Sequence, residues 1–262
     1  MRKVTRFRPK IVRPKIEEPK LLIPSLVTVI GLFFGFLATM YAIKGQYAAA
    51  SQAIAIAMFL DIMDGRIARR LNATTAFGKE FDSLCDMQSF GIAPAVLVYS
   101  WAFAQQLDEF GVLVAFCLVA AGAFRLARFN VQTEMKKNFT GLPIPGAAAC
   151  IAAMVYAFPY RLENQYLIAL IALYTFTLSL LMASRFPFLG LKKVKLKDIN
   201  PAYFILSIAV LVGLSWYLNR WMFLLLSLSY LATGPAIVWQ ERRQARTPQA
   251  GMKDQDWHLE QR

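Results

Sequence analysis

The sequence predicts an all-α, polytopic membrane protein with about eight transmembrane helices. Among its 262 residues, 57% are apolar and 17% are charged, and the mean hydropathy is +0.44. Several apolar runs reach the roughly 20 residues that a helix needs to cross the hydrocarbon core of a bilayer. Because the runs are continuously apolar and do not alternate with polar residues, they favour helices over a transmembrane β-barrel.

Eight apolar runs account for these helices. Pro94 is expected to kink the third helix, because an internal proline removes one hydrogen bond of the backbone ladder. The predicted spans are 21–43, 47–67, 81–103, 110–129, 144–159, 166–183, 202–218 and 221–239. They form a membrane domain over residues 21–239, which follows a basic arm at 1–20 and precedes a polar tail at 240–262.

The basic residues are distributed unequally between the two sides of the predicted bundle. An even number of spans places both termini on the same side, and 26 of the 29 lysines and arginines lie there. Cytoplasmic segments carry such an excess, so both termini and the segment 61–86 are predicted to face the cytoplasm from the cell membrane. The arm is rich in lysine and arginine and is expected to lie near anionic lipid headgroups. The net charge of +13 is thereby explained without nucleic-acid binding.

The few cysteines and the single histidine limit the possible chemistry. Cys85, Cys117 and Cys150 lie in or beside apolar runs without CxxC spacing, which argues against a disulfide framework or a zinc site. His258 lies in the polar tail. A histidine base or a histidine-rich metal site is therefore nearly excluded.

Acidic residues are concentrated at the facing ends of the second and third predicted helices. Five of the sixteen in the chain lie within residues 61–86. Positions three and four apart share a helical face, so each helix carries one stripe of acidic and small residues, and the short turn between the helices lets the stripes face each other. The first stripe is Asp61, Asp64, Gly65 and Ala68, and the second is Gly78, Asp82 and Asp86.

Four carboxylates in one cavity repel one another and cannot all stay ionised without a partner. Either some of them share protons, or cations bind between them. Oxygen-only ligands select Mg²⁺, Mn²⁺ or Ca²⁺ over zinc, and a two-metal carboxylate site stabilises displacement at phosphorus. The adjacent Arg66 and Arg69 favour a phosphorylated substrate. The alternatives are solvated helix ends without metal, or a transporter site. Transporter sites tend to lie near the bilayer midplane, whereas these acidic residues lie toward one end.

The spacing of these residues resembles the signature of the CDP-alcohol phosphotransferase family, D-x-x-D-G-x-x-A-R, eight residues, G-x-x-x-D-x-x-x-D. Every fixed position is filled, by Asp61, Asp64, Gly65, Ala68, Arg69, Gly78, Asp82 and Asp86. The resemblance implies an integral-membrane enzyme with a six-helix catalytic core, here at about 21–184, followed by two further helices at about 202–239. It also implies a homodimer that uses two divalent cations, Mg or Mn, to move a phosphoalcohol from a CDP-alcohol to a second alcohol, with release of CMP.

The resemblance also implies roles for individual residues. Asp61, Asp64, Asp82 and Asp86 would ligate the metals, and Asp86 would also be the general base. The CDP-lipid would be bound by Gly65, Ala68, Arg69, Thr75 and Gly78.

The flanking sequence resembles the bacterial and archaeal branch of the family that transfers a phosphatidyl group from CDP-diacylglycerol to L-serine. The stretches that carry this resemblance are Pro-Ser-Leu-Val-Thr at 24–28, the sequence after Asp82 up to residue 95, Arg-Leu-Ala-Arg-Phe-Asn at 125–130 and Gly-Leu-Pro-Ile-Pro-Gly-Ala-Ala at 141–148. The family's usual Pro-Asn near the first helix is Pro24-Ser25 here.

The acceptor is not identified by the shared motif. The carboxylate of serine needs a cation, and Arg125 and Arg128 are the candidates to supply a bidentate partner. Transfer to another alcohol, such as glycerol phosphate, inositol phosphate or choline, remains open. So does a non-enzymatic membrane transporter or metal-binding protein.

Overall fold

The computed structural model describes residues 19–71, 75–131, 139–184, 186–188 and 220–246, of which side chains are described except at 19–24, 139–140, 187–188 and 235–246. This part of the chain is helical apart from one two-residue antiparallel ribbon. Its α-helices are α1 Pro19–Ile43, α2 Tyr47–Arg70, α3 Ala76–Asp86, α4 Ala93–Val98, α5 Asp108–Val131, α6 Ile144–Ala157, α7 Gln165–Ala183 and α8 Trp221–Arg246. Two π-helical segments are π1 Met87–Ile92 and π2 Tyr99–Phe103, and the ribbon pairs β1 Phe139–Thr140 with β2 Pro187–Phe188.

The helices confirm the prediction of an all-α, polytopic membrane protein. Four segments of the described chain are long and apolar enough to cross a membrane, and two shorter apolar helices accompany them. The four are Ser25–Ile43, Tyr47–Arg70, Asp108–Val131 and Gln165–Ala183, and the shorter two are Ile144–Ala157 and Trp221–Gly234. The predicted span 202–218, most of the arm and most of the tail lie outside the described residues.

The third predicted span is a composite of α3, π1, α4 and π2. The backbone stays right-handed helical across each junction, so the four segments form one continuous passage. It begins at Ala76, earlier than the predicted start at residue 81, because Thr75 caps the helix with its side chain. The hydrogen-bonding pattern changes in π1, just before Pro94, where the sequence predicts a kink. Such π-helical turns interrupt α-helices most often at functional sites.

Small residues allow the first helices to pack closely. Ala38 and Ala42 of α1 are fully buried, as are Ala50 and Ile54 of α2. Since alanine side chains occupy little space, the two backbones approach each other along this hairpin. The largest buried side chains of the composite third passage, Phe90, Trp101 and Phe103, fill the centre of the bundle.

A tight turn ties the start of α6 to the end of α7. Gly141 has a positive φ of 86°, a conformation that glycine adopts without a steric penalty. Its amide donates to the carbonyl of Phe186 at 2.8 Å, and the amide of Leu142 donates to the carbonyl of Leu181 at 3.1 Å. The ribbon continues this connection, so the segment before α6 is held against the carboxyl end of α7.

Gly35 marks the closest approach of α1 to the third passage. A Cβ added at this position would lie 2.8 Å from the Cα of Ser89, whereas a Cβ at Gly31 would meet Leu60 Cβ at 3.6 Å, an ordinary contact. We expect Gly35→Ala to lower the thermal unfolding temperature, since overpacking costs about 1–3 kcal/mol. Gly31→Ala should stay close to the wild type. Both are measured by intrinsic fluorescence in detergent, and a wild-type unfolding temperature for Gly35→Ala would contradict this packing.

Candidate metal centre

Two consecutive helices, α2 and α3, bring the predicted acidic stripes together. Asp61 and Asp64 lie in the last three turns of α2, and Asp82 lies in the second turn of α3. One carboxylate oxygen of each of these three residues lies within 4.8 Å of the other two. The carboxyl group of Asp86 lies within hydrogen-bonding reach of that of Asp61. All four predicted ligands therefore meet in one place.

The carboxylates line a small cavity where α1, α2 and the third passage converge. The cavity encloses about 210 Å³ together with its open mouth. Its wall is completed by side chains from α1, α2, α3 and π1, namely Thr28, Gly31, Leu32, Ala57, Cys85, Ser89 and Phe90. The enclosed part of this space is far smaller than the pockets of roughly 300–1,000 Å³ that bury drug-sized ligands, so it suits ions rather than a whole CDP-lipid.

Burial makes the repulsion between these carboxylates costly. Asp64 is only 5% exposed, and Asp61, Asp82 and Asp86 are half-buried. Two carboxylates at this separation repel each other by roughly 3–4 kcal/mol at the effective dielectric constant of a protein surface. A proton or a cation between them removes that repulsion. An all-oxygen donor set of this kind fits hard divalent cations.

The hydroxyl of Thr28 was not among the predicted site residues. It forms a hydrogen bond with the Asp64 carboxylate, which also interacts with the backbone of Gly65. Thr28 lies on α1, outside both acidic stripes. This contact depends on the packing of a third helix, so the spacing of residues along α2 and α3 does not reveal it. The stretch at 24–28 that contains Thr28 does carry part of the family resemblance.

Arg69 lies beside the acidic cluster, in the last turn of α2. A Cβ at Gly65 would lie 3.6 Å from its Nη1 and 3.8 Å from its Nη2, so the guanidinium folds back over the glycine. Its positive charge acts on Asp64. Ala68 is half-buried on the same helix. The predicted CDP-lipid residues of α2 are thus grouped next to the carboxylates.

Thr75 and Gly78 shape the start of α3. The Thr75 hydroxyl oxygen accepts a hydrogen bond from the Gly78 amide at 2.9 Å and so caps the helix. A Cβ at Gly78 would lie 3.1 Å from that oxygen, which favours glycine here. A threonine just before a helical stretch is a local indication of such a cap. The predicted contact of Thr75 with the CDP-lipid stays a prediction.

A hydrogen-bond network joins α3 to the end of α5. The Asn130 side-chain amide donates to Ser83 Oγ at 3.0 Å and to Glu80 Oε2 at 3.2 Å. Lys79 Nζ donates to the Asn130 carbonyl at 3.4 Å. These contacts hold the helix that carries Asp82 against α5. Sequence reasoning did not assign Asn130 this role, because its partners lie about fifty positions away.

The two predicted acceptor arginines have different surroundings, although both lie near the end of α5. Arg125 is only 7% exposed, and its Nε has no hydrogen-bond partner among the described residues. It lies within electrostatic range of Asp86. Arg128 instead donates to the carbonyls of Ala183 and Ser184, at 3.4 and 3.2 Å, and so binds the carboxyl end of α7.

Within the described bundle, the carboxylate cluster and Arg69 beside it form the kind of site that the family resemblance implies. The sequence pattern of the CDP-alcohol phosphatidyltransferase family matches residues 21–183, more than half of the chain, and ends with α7. The chain belongs to this family. It is a membrane-embedded phosphatidyltransferase, and its aspartate cluster is suited to hold divalent cations.

The curated relatives include proteins of bacteria and archaea. A CDP-diacylglycerol–serine O-phosphatidyltransferase of Helicobacter pylori is 32% identical over 233 residues, covering 80% of this chain and 94% of the relative. The enzyme of the same name from Bacillus subtilis is 36% identical over 171 residues, covering 65% and 92%. An archaetidylserine synthase of Methanothermobacter thermautotrophicus is 41% identical over 133 residues, covering 50% and 56%.

Replacement of one carboxylate should weaken metal binding. We expect Asp82→Asn to weaken Mn²⁺ binding to the purified protein on the order of tenfold or more, because it removes one charged ligand. Glu80→Gln is the matched control on the same helix, since Glu80 bonds to Asn130 outside the cluster. Binding is measured by electron paramagnetic resonance of free Mn²⁺. Equal affinities for the wild type and Asp82→Asn would exclude this residue as a ligand.

Proposed function

We propose that this protein transfers the phosphatidyl group of CDP-diacylglycerol to the hydroxyl of L-serine, giving phosphatidylserine and CMP. The observation that carries the proposal is the convergence of Asp61, Asp64 and Asp82 within 4.8 Å in a chain of the CDP-alcohol phosphatidyltransferase family. The choice of serine is supported by the names of the bacterial relatives. The archaeal relative, named for a serine-containing lipid, supports it too.

Four carboxylates would hold two divalent cations, Mg or Mn. They are those of Asp61, Asp64, Asp82 and Asp86, which line the same cavity. When bound, such ions neutralise the phosphate oxygens and the leaving group of a displacement at phosphorus. Carboxylate oxygens bind both Mg²⁺ and Mn²⁺, so the donor set supports either ion.

The donor would lie against the open mouth of this cavity. The CDP group would bind near Gly65 and Ala68 of α2 and near Thr75 and Gly78 at the start of α3. Arg69, exposed at the end of α2, is placed to bind phosphate and to stabilise the charge of departing CMP. The acyl chains would remain in the surrounding bilayer.

Asp86 is proposed as the general base. It accepts the proton of the serine hydroxyl while the serine oxygen forms a bond to the phosphorus of the phosphatidyl group. The bond from that phosphorus to the oxygen of CMP breaks, and CMP leaves with the bonding electrons. The proposal is supported by the position of Asp86 at the end of α3, where its carboxyl group lies next to that of Asp61 and within electrostatic range of Arg125. Such positioning supplies much of the rate in an enclosed site.

Of the two predicted acceptor arginines, we propose Arg125 as the anchor of the serine carboxylate. Its guanidinium is buried, and its Nε–H lacks a partner among the described residues, so binding a carboxylate would satisfy it. Arg128 is already engaged with the carbonyls of α7. Its proposed contribution is to hold the end of α7 beside the pocket.

The reaction is proposed to occur at the cytoplasmic face of the cell membrane. Support comes from the distribution of lysine and arginine, which places both termini and the acidic segment on that side. The family resemblance supports a homodimer. Both substrates fit this placement, because serine is dissolved in the cytoplasm and CDP-diacylglycerol lies in the bilayer.

An acceptor series tests the proposal. Purified protein in detergent micelles receives CDP-diacylglycerol and Mn²⁺ or Mg²⁺, together with one alcohol at a time, and CMP release is measured. We expect serine to support release and chelation of the metals to abolish it. Release only with glycerol phosphate, inositol phosphate or choline would establish the other acceptor class. No release with any alcohol would favour a transporter or a metal-binding protein.

The role of Asp86 as general base can be tested separately from the binding of CDP-diacylglycerol. Asp86→Asn should lower the turnover number on the order of 10²–10⁴-fold, because the amide cannot accept the hydroxyl proton. It should retain stabilisation by CDP-diacylglycerol in a thermal-shift measurement. Glu109→Gln, an exposed residue in the first turn of α5, is the control with unchanged turnover. A wild-type rate for Asp86→Asn would refute the assignment.

A further inference from the structure

Ser89 lies in π1, on the wall of the cavity that the four carboxylates line. It is the third residue after Asp86, a spacing that places two side chains on one face of a helix, and both residues line the cavity. Ser89 is only 3% exposed. The described structure thus places a buried hydroxyl group in a site whose predicted metal ligands are all carboxylates.

The Ser89 hydroxyl differs from the other buried hydroxyl groups of the described chain. Each of the others donates to a carbonyl three or four residues earlier in its own helix, at 2.8–3.0 Å. These residues are Ser51, Thr175, Ser179 and Ser227. Ser89 makes no hydrogen bond through its hydroxyl to the described residues, and it lies in a π-helical turn, where the ladder of bonds between positions four apart is interrupted. A buried hydroxyl without a partner is costly, so a group bound in the cavity would compensate it.

Gly35 of α1 leaves the space that the Ser89 side chain occupies. A Cβ added at Gly35 would lie 2.8 Å from Ser89 Cβ and would overlap its Oγ. Beside this contact, the Gln88 side-chain amide donates to Thr39 Oγ1 at 3.3 Å and also holds π1 against α1. The position of Ser89 on the cavity wall is therefore fixed by the packing of two helices, without a hydrogen bond of its own hydroxyl.

A neutral oxygen suits a cation site that already contains four carboxylates. Hard divalent cations take six or more oxygen ligands, and serine and threonine hydroxyls are among the oxygens that bind Mg²⁺. A hydroxyl adds a ligand without adding negative charge, so it does not increase the repulsion between the carboxylates. The other hydroxyl on the cavity wall, that of Thr28, already forms a hydrogen bond with Asp64. Ser89 is the one that is available.

We propose that the Ser89 hydroxyl is a fifth side-chain oxygen donor of the divalent-cation site. The inference rests on the proposed function, in which the four aspartates hold these cations. It extends the site beyond the eight fixed positions of the family signature, which end at Asp86. It also gives the π-helical turn a role, since an α-helical turn would engage the hydroxyl with its own backbone.

The first test removes only the hydroxyl group. In Ser89→Ala, we expect the affinity of the purified protein for Mn²⁺ to fall on the order of tenfold, measured by electron paramagnetic resonance of free Mn²⁺. Ser51→Ala is the matched control, because Ser51 is equally buried, bonds to its own helix and lies away from the cavity. A wild-type Mn²⁺ affinity in Ser89→Ala would overturn the inference. Since serine-dependent CMP release by the wild type is measured separately, the proposed function would stand or fall independently.

Thermal unfolding separates metal binding from packing. The metal-free Ser89→Ala protein should unfold close to the wild-type temperature, because the Cβ that packs on Gly35 is retained. At a Mn²⁺ concentration near the wild-type Kd, its unfolding temperature should rise less than that of the wild type, since a weaker ligand stabilises less. An equal rise in both proteins would overturn the inference. So would a metal-free variant that has already lost stability, because the hydroxyl would then serve the packing of π1.

Discussion

Mutual repulsion between buried carboxylates is the constraint on which this structure depends. Asp61, Asp64 and Asp82 are held within 4.8 Å of one another, and Asp64 is almost fully buried. Because these carboxylates lie on two different helices, their repulsion alone would push α2 and α3 apart. Helix α1 opposes this separation because it packs against both α2 and α3, and the network around Asn130 holds α3 in place against α5. Divalent cations would replace repulsion by attraction in the same place, so metal binding and the packing of these helices are coupled.

The site has two parts that are built by different kinds of contact. The carboxylates of the metal side lie on α2 and α3, which are consecutive helices of the chain. The proposed acceptor side lies near the ends of α5 and α7, which meet through contacts between distant positions. Arg128 on the end of α7 and the turn at Gly141 hold this second part together.

The sequence predicts that the four aspartates lie together but not that the two arginines differ in their surroundings, for a physical reason. Spacings of three and four residues specify a helical face, so the acidic stripes follow from the positions of Asp61, Asp64, Asp82 and Asp86 alone. The same rule places Arg125 and Arg128 on one face and cannot distinguish them. Their difference arises from the end of α7, about 55 positions away, which binds one arginine and leaves the other near Asp86. The π-helical segment after Asp86 also lacks a periodic pattern, although Pro94 indicates an irregular backbone nearby.

The shortness of α6 has a consequence for how the substrates meet. Its 14 residues span about 21 Å, while the hydrocarbon core of a bilayer is about 30 Å thick. The lipids or the flanking segments must make up the difference, and local thinning of the bilayer is one response to such a mismatch. A depression in the lipid surface beside α6 would carry water inward to the depth of Arg125. An amino acid and a lipid headgroup could then meet at one level, without either leaving the medium in which it is soluble.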